Sequence, residues 1–225
     1  LGAAMGMRLV VPDARLVFPG SQEVAVRRFL ESEKISLPEV RVRELRRARI
    51  EEAVVVDCSS FRRLAEVGEL IAAAGCPVRV VDHHQDGSDT IPGAEVLTAP
   101  VAATCTVVTR ELQRLGIEPD ALTASMLLLG IYEDTGGLTY VDTTTVDLEA
   151  SAWLLGHGAR LEWVRRYVLR PLEPDQLELL NQLVEGAVEH TVAGCRVVLS
   201  VARPSERREE AAYVVHRYAE IFDLP

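Results

Sequence analysis

The sequence contains little cysteine, and no two of its four cysteines are spaced as a CxxC pair. They are Cys58, Cys76, Cys105 and Cys195. This spacing argues against a zinc ribbon or a redox pair and favours reduced thiols in a cytoplasmic protein. No apolar run approaches the roughly 18 residues of a membrane span, and no signal peptide is evident. We therefore expect a cytoplasmic protein without a membrane partner.

Three common catalytic or nucleotide-binding motifs are also absent. The sequence has no GxSxG elbow, which leaves a serine hydrolase without support. It has neither GxxxxGK[ST] nor GxGxxG, which removes a P-loop and a Rossmann fingerprint. Cys58 has no adjacent basic residue that would activate its thiol, so a buried structural thiol is the better interpretation.

Positive charge is scarce relative to negative charge. The chain carries 24 Lys and Arg residues against 34 Asp and Glu residues, for a net charge of −10. This balance argues against broad, non-specific wrapping of nucleic acid, which needs a basic surface. It leaves room for a small basic groove or for a phosphate site built around metal ions. The 225 residues, 48% of them apolar, suffice for one large domain or for one domain and part of another.

Strand-like and helix-like segments alternate along the chain, which predicts an α/β fold around a mostly parallel sheet with helices on both faces. We predict strands at residues 14–18, 39–43, 51–56, 78–81 and 94–97. We predict helices at residues 1–10, 21–31 with Ser21 as N-cap, 64–74, 103–115, 122–132 with Asp120 as cap, 143–155, 161–169 and 175–187.

The pattern changes after residue 170, which predicts three parts. Residues 1–170 form the main α/β domain, and residues 171–187 form a helical connector. A hairpin at residues 188–192 and 195–201, followed by a helix at 206–222, indicates the start of a second α/β domain over residues 188–225.

Acidic and imidazole side chains follow apolar elements at three places. The β-branched run VRVV ends in Asp82, His83 and His84, and the run VVV ends in Asp57. Asp134 follows the apolar helix LLLGIYE. Because the carboxyl ends of parallel strands meet at one edge of a sheet, where ligands collect, we expect the first two groups to face the same edge. The sequence therefore predicts a metal site there.

Carboxylate oxygens and imidazole nitrogens form a mixed hard and borderline ligand set. Such a set suits Mn²⁺, Mg²⁺ or Fe²⁺ better than it suits a thiolate zinc site. Two such ions about 3.5–4 Å apart can clamp a phosphoryl group and activate water as the nucleophile. A carboxylate that bridges both ions is an economical way to hold that spacing.

These residues also have ordinary structural interpretations. An aspartate at a strand end is commonly a helix cap or a turn residue, and for Asp57 alone that interpretation is favoured. Asp134 precedes Thr-Gly-Gly and could simply stabilise a turn. Two adjacent imidazoles at a strand end are harder to explain by packing. The remaining histidines, for which surface or packing roles are expected, are His157, His190 and His216.

The three motifs, in this order, resemble those of the DHH phosphoesterases. Asp82-His83-His84 resembles the motif that names the family, and the segment VVVD ending at Asp57 resembles its preceding aspartate motif. The segment GIYEDTG, which contains Asp134, resembles its later DTG motif. The family includes RecJ nucleases, oligoribonucleases, cyclic-dinucleotide phosphodiesterases and family II inorganic pyrophosphatases. The resemblance covers residues 1 to roughly 170.

The resemblance implies a role for each residue. Asp57 would bridge two Mn²⁺ ions, with Mg²⁺ as the alternative metal, and His83 and Asp134 would bind one of them. His84 would contact the scissile phosphate or act as acid toward the leaving oxygen, and Asp82 would orient its neighbouring histidine. No side-chain nucleophile is then needed. The implied activity is hydrolysis of a phosphate ester in a nucleotide or a short RNA or DNA oligonucleotide.

The sequence PGS at residues 19–21 and the sequence of residues 139–172 resemble those of one subset of the family. In that subset the DHH module precedes CBS domains and a tRNA nucleotidyltransferase or poly(A) polymerase domain, so tRNA becomes a further partner.

The family's first motif, a histidine with two aspartates, does not occur in this sequence, and we expect it upstream. Two alternatives to catalysis stay open: a regulatory or positioning module of such a multidomain protein, and a nucleotide-binding sensor. Either a monomer or an oligomer is compatible with the sequence.

Overall fold

A three-stranded parallel sheet organises the larger part of the chain. The computed structural model describes residues 1–20, 22–84, 91–203 and 211–222. Its strands are β1 (Ala53–Val56), β2 (Val78–Val81) and β3 (Glu95–Leu97), in the order β1-β2-β3. Val81 lies opposite Val56 of β1 and opposite Leu97 of β3. All three strands therefore end at the same edge, as the sequence predicts.

Helices account for most of the remaining described residues. They are α1 (Gly2–Val10), α2 (Val24–Ser32), α3 (Val42–Leu45), α4 (Glu66–Ala74), α5 (Thr104–Leu115), α6 (Ala121–Asp134), α7 (Thr145–Gly156), α8 (Leu161–Trp163), α9 (Pro174–Glu185) and α10 (Ala211–Ile221). A 3₁₀ turn precedes α4 and a π-helical turn follows α8. A hairpin of β4 (Val188–Val192) and β5 (Cys195–Leu199) separates α9 from α10. None of the helices in the described ranges is long and apolar enough to cross a membrane.

The ends of several helices follow from local sequence. Gly75 and Gly116 adopt left-handed conformations at the carboxyl ends of α4 and α5, where glycine carries no Cβ penalty. Asp120 caps α6, because its carboxylate accepts a hydrogen bond of 2.7 Å from the amide of Thr123. These three boundaries confirm the predicted helix limits.

Apolar side chains bury the sheet on both faces. Val80 and Val81 are adjacent in β2 and point to opposite sides. Val80 packs in a cluster with Val67 and Ile71 of α4. Val81 packs in a larger cluster whose members come mainly from α1, α5, α6 and α7. The predicted α/β class, with a parallel sheet between two helical layers, is therefore confirmed.

Two predicted strands are wrong. Residues 14–18 and 39–43 form only a single parallel bridge, between Leu16 and Glu39. Pro38 can accept from the amide of Leu16 but has no N–H of its own to extend the ladder. Residues 42 and 43, the end of the second predicted strand, belong to α3 instead. The predicted helix at 161–169 is also divided, since α8 gives way to the π-helical turn at Val164–Val168.

The chain separates into two compact units. The first comprises Leu1–Gln22 and Glu33–Leu169, and the second comprises Glu23–Ser32 and Arg170–Pro225. Within the second unit, Leu179 and Leu180 of α9 pack with Val214 and Tyr218 of α10. The predicted division into a domain, a connector and the start of another domain stays a prediction. The predicted cap at Ser21 and the predicted helix start at residue 206 lie outside the described residues.

Candidate metal centre

The ends of β1 and β2 bring the predicted aspartates together. The parallel pairing continues by one residue beyond the strands, because the amide of Asp57 donates to the carbonyl of Val81 over 2.9 Å. The amide of Asp82 in turn donates to the carbonyl of Leu97 over 3.2 Å. Asp57 and Asp82 therefore leave the sheet side by side at its carboxyl edge.

Asp57 adopts a conformation that few side chains tolerate. Its φ angle is +60°, in the left-handed region that glycine favours and that aspartate occupies with some strain. The side chain is 55% exposed, so its carboxylate faces the open edge of the sheet. Oδ1 accepts a hydrogen bond of 2.7 Å from the hydroxyl of Thr104. The carboxylate is thus presented outward and held at one oxygen.

Asp82 is buried and hydrogen-bonded to the imidazole of His84. Only 2% of Asp82 is exposed, and its Oδ1 lies 2.7 Å from Nδ1 of His84 and 3.1 Å from the His84 amide. An ionised carboxylate only accepts hydrogen bonds, so Nδ1 carries the proton in this pair. Nε2 of His84 is then the nitrogen left to meet a ligand.

His83 lies beside Asp57 and beside the imidazole of His84. Its Nε2 is 3.9 Å from Oδ1 of Asp57, and its ring centroid is 4.0 Å from that of His84. One ligand atom each from Asp57, Asp82, His83 and His84 lies within 4.8 Å of all the others. Two carboxylates and two imidazoles at this spacing fit a divalent cation of the Mn²⁺ class.

Asp134, the last residue of α6, is not one of these four residues. Burial, together with the negative charges of Asp57 and Glu133, raises the pKa of its carboxyl to about 7. The positive charge of a protonated His84 acts in the opposite direction. These interactions place Asp134 near the group of four, and its role as a ligand stays a prediction.

Two polar residues near the centre were not singled out by the sequence motifs. Thr104 begins α5, and its hydroxyl reaches Asp57. Asp147 is fully buried and accepts hydrogen bonds from the hydroxyl of Thr106 and from the amide of Ala102. The spacing of Thr144 and Asp147 is that of a capping box, which is the signal that could have identified Asp147.

The other candidate side chains lie apart from this group. Nδ1 of His157 contacts the carbonyl of Trp153 over 2.9 Å, and His190 and His216 are exposed on the hairpin and on α10. Cys58 is buried, and its thiol donates to the carbonyl of Ser60. These placements agree with packing, surface and structural roles.

Comparison with known proteins adds a family and several relatives. The model of the DHH family, N-terminal domain, matches residues 1–131. An A-adding tRNA nucleotidyltransferase of Geobacter sulfurreducens is 34% identical over all 225 residues, which span 26% of that protein. The bifunctional oligoribonuclease and PAP phosphatase NrnA of Thermus thermophilus is 34% identical over 112 residues, 49% of this chain and 33% of its own. The chain thus spans about a quarter to a third of these relatives.

Solved structures share the fold. An exopolyphosphatase-related protein from Bacteroides fragilis superposes with a TM-score of 0.69 at 17% identity, over 83% of this chain and 57% of that one. A candidate family II inorganic pyrophosphatase from Methanococcus jannaschii gives 0.59 at 16% identity, over 99% and 75%. The resemblance stated from the motifs is confirmed. With 131 of its 225 residues matched by the family model, the chain belongs to the DHH family.

Proposed function

We propose that the chain is the catalytic module of a metal-dependent phosphoesterase that hydrolyses a phosphate ester of a nucleotide or a short oligonucleotide. The observation that carries the proposal is the group of two carboxylates and two imidazoles at the carboxyl edge of the sheet. An edge of this kind is where open parallel sheets bind ligands. Family membership supports the same class of chemistry.

The metal ligands we propose are Asp57, His83 and Asp134. Asp57 would bridge two Mn²⁺ ions, with Mg²⁺ as the alternative, and the exposure of its carboxylate beside His83 supports this role. When bound, such ions supply Lewis acidity toward phosphoryl oxygens and lower the pKa of water. The carboxyl of Asp134 interacts electrostatically with Asp57 and has a pKa raised to about 7, and a nearby cation would favour its ionised form.

Asp82 and His84 act as a unit in this proposal. Because Asp82 holds Nδ1 of His84, the imidazole has one tautomer and one orientation. Nε2 can then contact the scissile phosphate and, when protonated, give its proton to the leaving oxygen. The burial of Asp82 removes competing water from the carboxylate that fixes the ring.

The substrate class is proposed from chemistry and from relatives. One similar protein is named an oligoribonuclease and PAP phosphatase, which supports a short oligonucleotide or a nucleotide phosphate as the substrate. Another is named an A-adding tRNA nucleotidyltransferase, which supports tRNA as a partner of the longer protein. The four free thiols support a cytoplasmic location.

A second candidate function is a non-catalytic module of a multidomain tRNA-processing protein. The observation that favours it is the match of all 225 residues to 26% of a tRNA nucleotidyltransferase. In that case the module would bind metal or nucleotide without turnover.

The test is metal binding and turnover by the intact protein. We expect Mn²⁺ titration calorimetry to show that His83→Gln lowers the affinity by more than about 10-fold, because even outer partners of a metal typically cost 10–100-fold. His216→Gln, on the exposed face of α10, is the matched control and should bind as the wild type does. Short RNA and nucleotide phosphates are then assayed with Mn²⁺. Equal binding by both variants would overturn the metal centre, and metal binding without hydrolysis of any substrate would favour the second candidate.

A further inference from the structure

We infer that Thr104 is a positioning residue, whose hydroxyl fixes the carboxylate of Asp57 in the orientation that binds metal. The inference rests on the proposed function, because it assigns Asp57 as a metal ligand. Thr104 lies 47 residues further along the chain and belongs to α5, whereas Asp57 follows β1. The contact therefore joins a helix to the edge of the sheet.

The geometry of the contact is that of a strong, shielded hydrogen bond. Oγ1 of Thr104 lies 2.7 Å from Oδ1 of Asp57, and Thr104 is only 1% exposed. Bonds from a donor to an ionised acceptor are shorter and stronger than neutral ones. Thr104 is also the first residue of α5, so the positive end of that helix lies at the same carboxylate.

Asp57 needs such support more than an ordinary strand-end residue does. Its left-handed backbone is a strained conformation, and strain of this kind persists only where the surroundings determine it. The backbone is held by the hydrogen bond from its amide to Val81. The side chain is more than half exposed, and the hydroxyl of Thr104 is the neutral donor that fixes its rotation.

Thr104 is itself held by a rigid neighbourhood. The amide of Ala102 donates to Oδ2 of Asp147 over 3.2 Å, and the hydroxyl of Thr106 donates to Oδ1 over 2.6 Å. Asp147 belongs to α7 and is fully buried. The first turn of α5 is thus fastened on both sides of Thr104, so its hydroxyl is aimed at Asp57 before any ligand arrives.

A hydroxyl donor suits this task because it does not compete with a cation. It occupies one lone pair of Oδ1 and leaves Oδ2 and the remaining lone pair for metal ions. An arginine or lysine in its place would add a positive charge beside the metal. Loss of the hydroxyl would let the carboxylate rotate, and partners of this kind typically contribute 10–100-fold to metal affinity.

The experiment compares two threonines of the same helix. Thr104→Val removes the hydroxyl and keeps the shape, and Thr104→Ser restores a hydroxyl. Thr109→Val is the matched control, since Thr109 is also buried in α5 but donates to the carbonyl of Cys105. Mn²⁺ affinity is measured on the intact protein by calorimetry and by the electron paramagnetic resonance signal of free Mn²⁺. Thermal unfolding is recorded without metal.

We expect Thr104→Val to bind Mn²⁺ about 10–100-fold more weakly. Thr104→Ser should recover most of that loss, and Thr109→Val should bind as the wild type does. Should Thr104→Val fail to fold, Thr104→Ala takes its place, because alanine introduces no crowding. We expect it to show the same loss of Mn²⁺ affinity. A purely structural role would lower the unfolding temperature and leave Mn²⁺ affinity unchanged in the folded protein, which would overturn the inference.

Asp57→Asn separates this inference from the proposed function. Should Asp57→Asn bind Mn²⁺ as tightly as the wild type, the metal centre itself is wrong and the role of Thr104 is wrong with it. Should Asp57→Asn lose affinity while Thr104→Val and Thr104→Ala keep it, only the positioning role is refuted. Loss in all three variants, with recovery in Thr104→Ser, supports both.

Discussion

Replacing Asp147 with alanine removes a buried acceptor that several donors share. Its carboxylate accepts from the amides of Ala102 and Thr144 and from the hydroxyls of Thr106 and Thr144, at 2.6–3.2 Å. The hydroxyls can rotate toward other acceptors, but the two amides cannot. An orphaned buried amide costs about 1–3 kcal/mol, so we expect Asp147→Ala to lower the free energy of unfolding by about 2–4 kcal/mol.

The assay is urea unfolding followed by tryptophan fluorescence. The two tryptophans, Trp153 and Trp163, both belong to the unit that contains Asp147, so they report on that unit alone. With an m value of about 2 kcal/mol/M, the midpoint should fall by about 1–2 M urea. Asp142→Ala is the control, because Asp142 is exposed just before α7, and exposed substitutions stay within about 0.5 kcal/mol.

The same residue predicts how stability depends on pH. Burial alone would raise the pKa of Asp147, but the hydrogen bonds from Thr106, Thr144 and Ala102 outweigh it and hold the pKa below the ordinary 3.8. A depressed folded pKa means that the stabilisation is present above pH 3.8 and is lost as pH falls through the lower folded value. The gap between wild type and Asp147→Ala should therefore narrow below pH 3.8. Equal midpoints for the two alanine variants at pH 7 would refute the reasoning.

Three further predictions concern other parts of the first unit and the thiols. Ala65 has a φ of +48° before α4, so Ala65→Gly should raise the unfolding free energy by about 1 kcal/mol, whereas Ala72→Gly within α4 should lower it by about as much. A Cβ on Gly130 would clash with Sγ of Cys105, so Gly130→Ala should lower the unfolding free energy by about 1–3 kcal/mol. Adding Cys105→Ala should restore most of that loss in the same urea assay. Burial raises the pKa of the Cys105 thiol to about 12, whereas Cys195 is exposed. A thiol reagent should therefore modify Cys195 in the native protein and Cys105 only after unfolding, which peptide mass spectrometry will detect.

The sequence was sufficient to predict those features that depend on neighbours along the chain. Strands β1 and β2 end directly before Asp57 and Asp82, where the β-branched runs end. Glycine and aspartate mark the limits of α4, α5 and α6. The failed strand at residues 14–18 shows the limit of that approach. A short apolar run becomes a strand only with a partner, and Pro38 with the start of α3 limits its neighbour to a single bridge.

The polar contacts behind the candidate site join residues that are distant in the chain, and the local sequence does not predict these pairings, although the capping box marks Asp147 as part of a helix cap. Thr104 and Asp57 are 47 positions apart, and Thr106 and Asp147 are 41 apart. A threonine at the start of a helix predicts only a helix start. Its hydroxyl reaches Asp57 because α5 packs against β2, the strand beside β1. The left-handed backbone of Asp57 is equally a product of tertiary packing, since aspartate tolerates that region better than most residues do but does not adopt it by default.

The backbone conformation at Asp57 shows that folding and ligand binding favour different residues at this position. Glycine would occupy a φ of +60° without strain, so stability of the turn alone gives no reason for a carboxylate there. The carboxylate nevertheless has a dedicated buried donor in Thr104 and a histidine nitrogen 3.9 Å away. Ala65, which is also strained, lacks any comparable side chain to present. Strain that holds an exposed carboxylate beside two imidazoles supports the metal site proposed above.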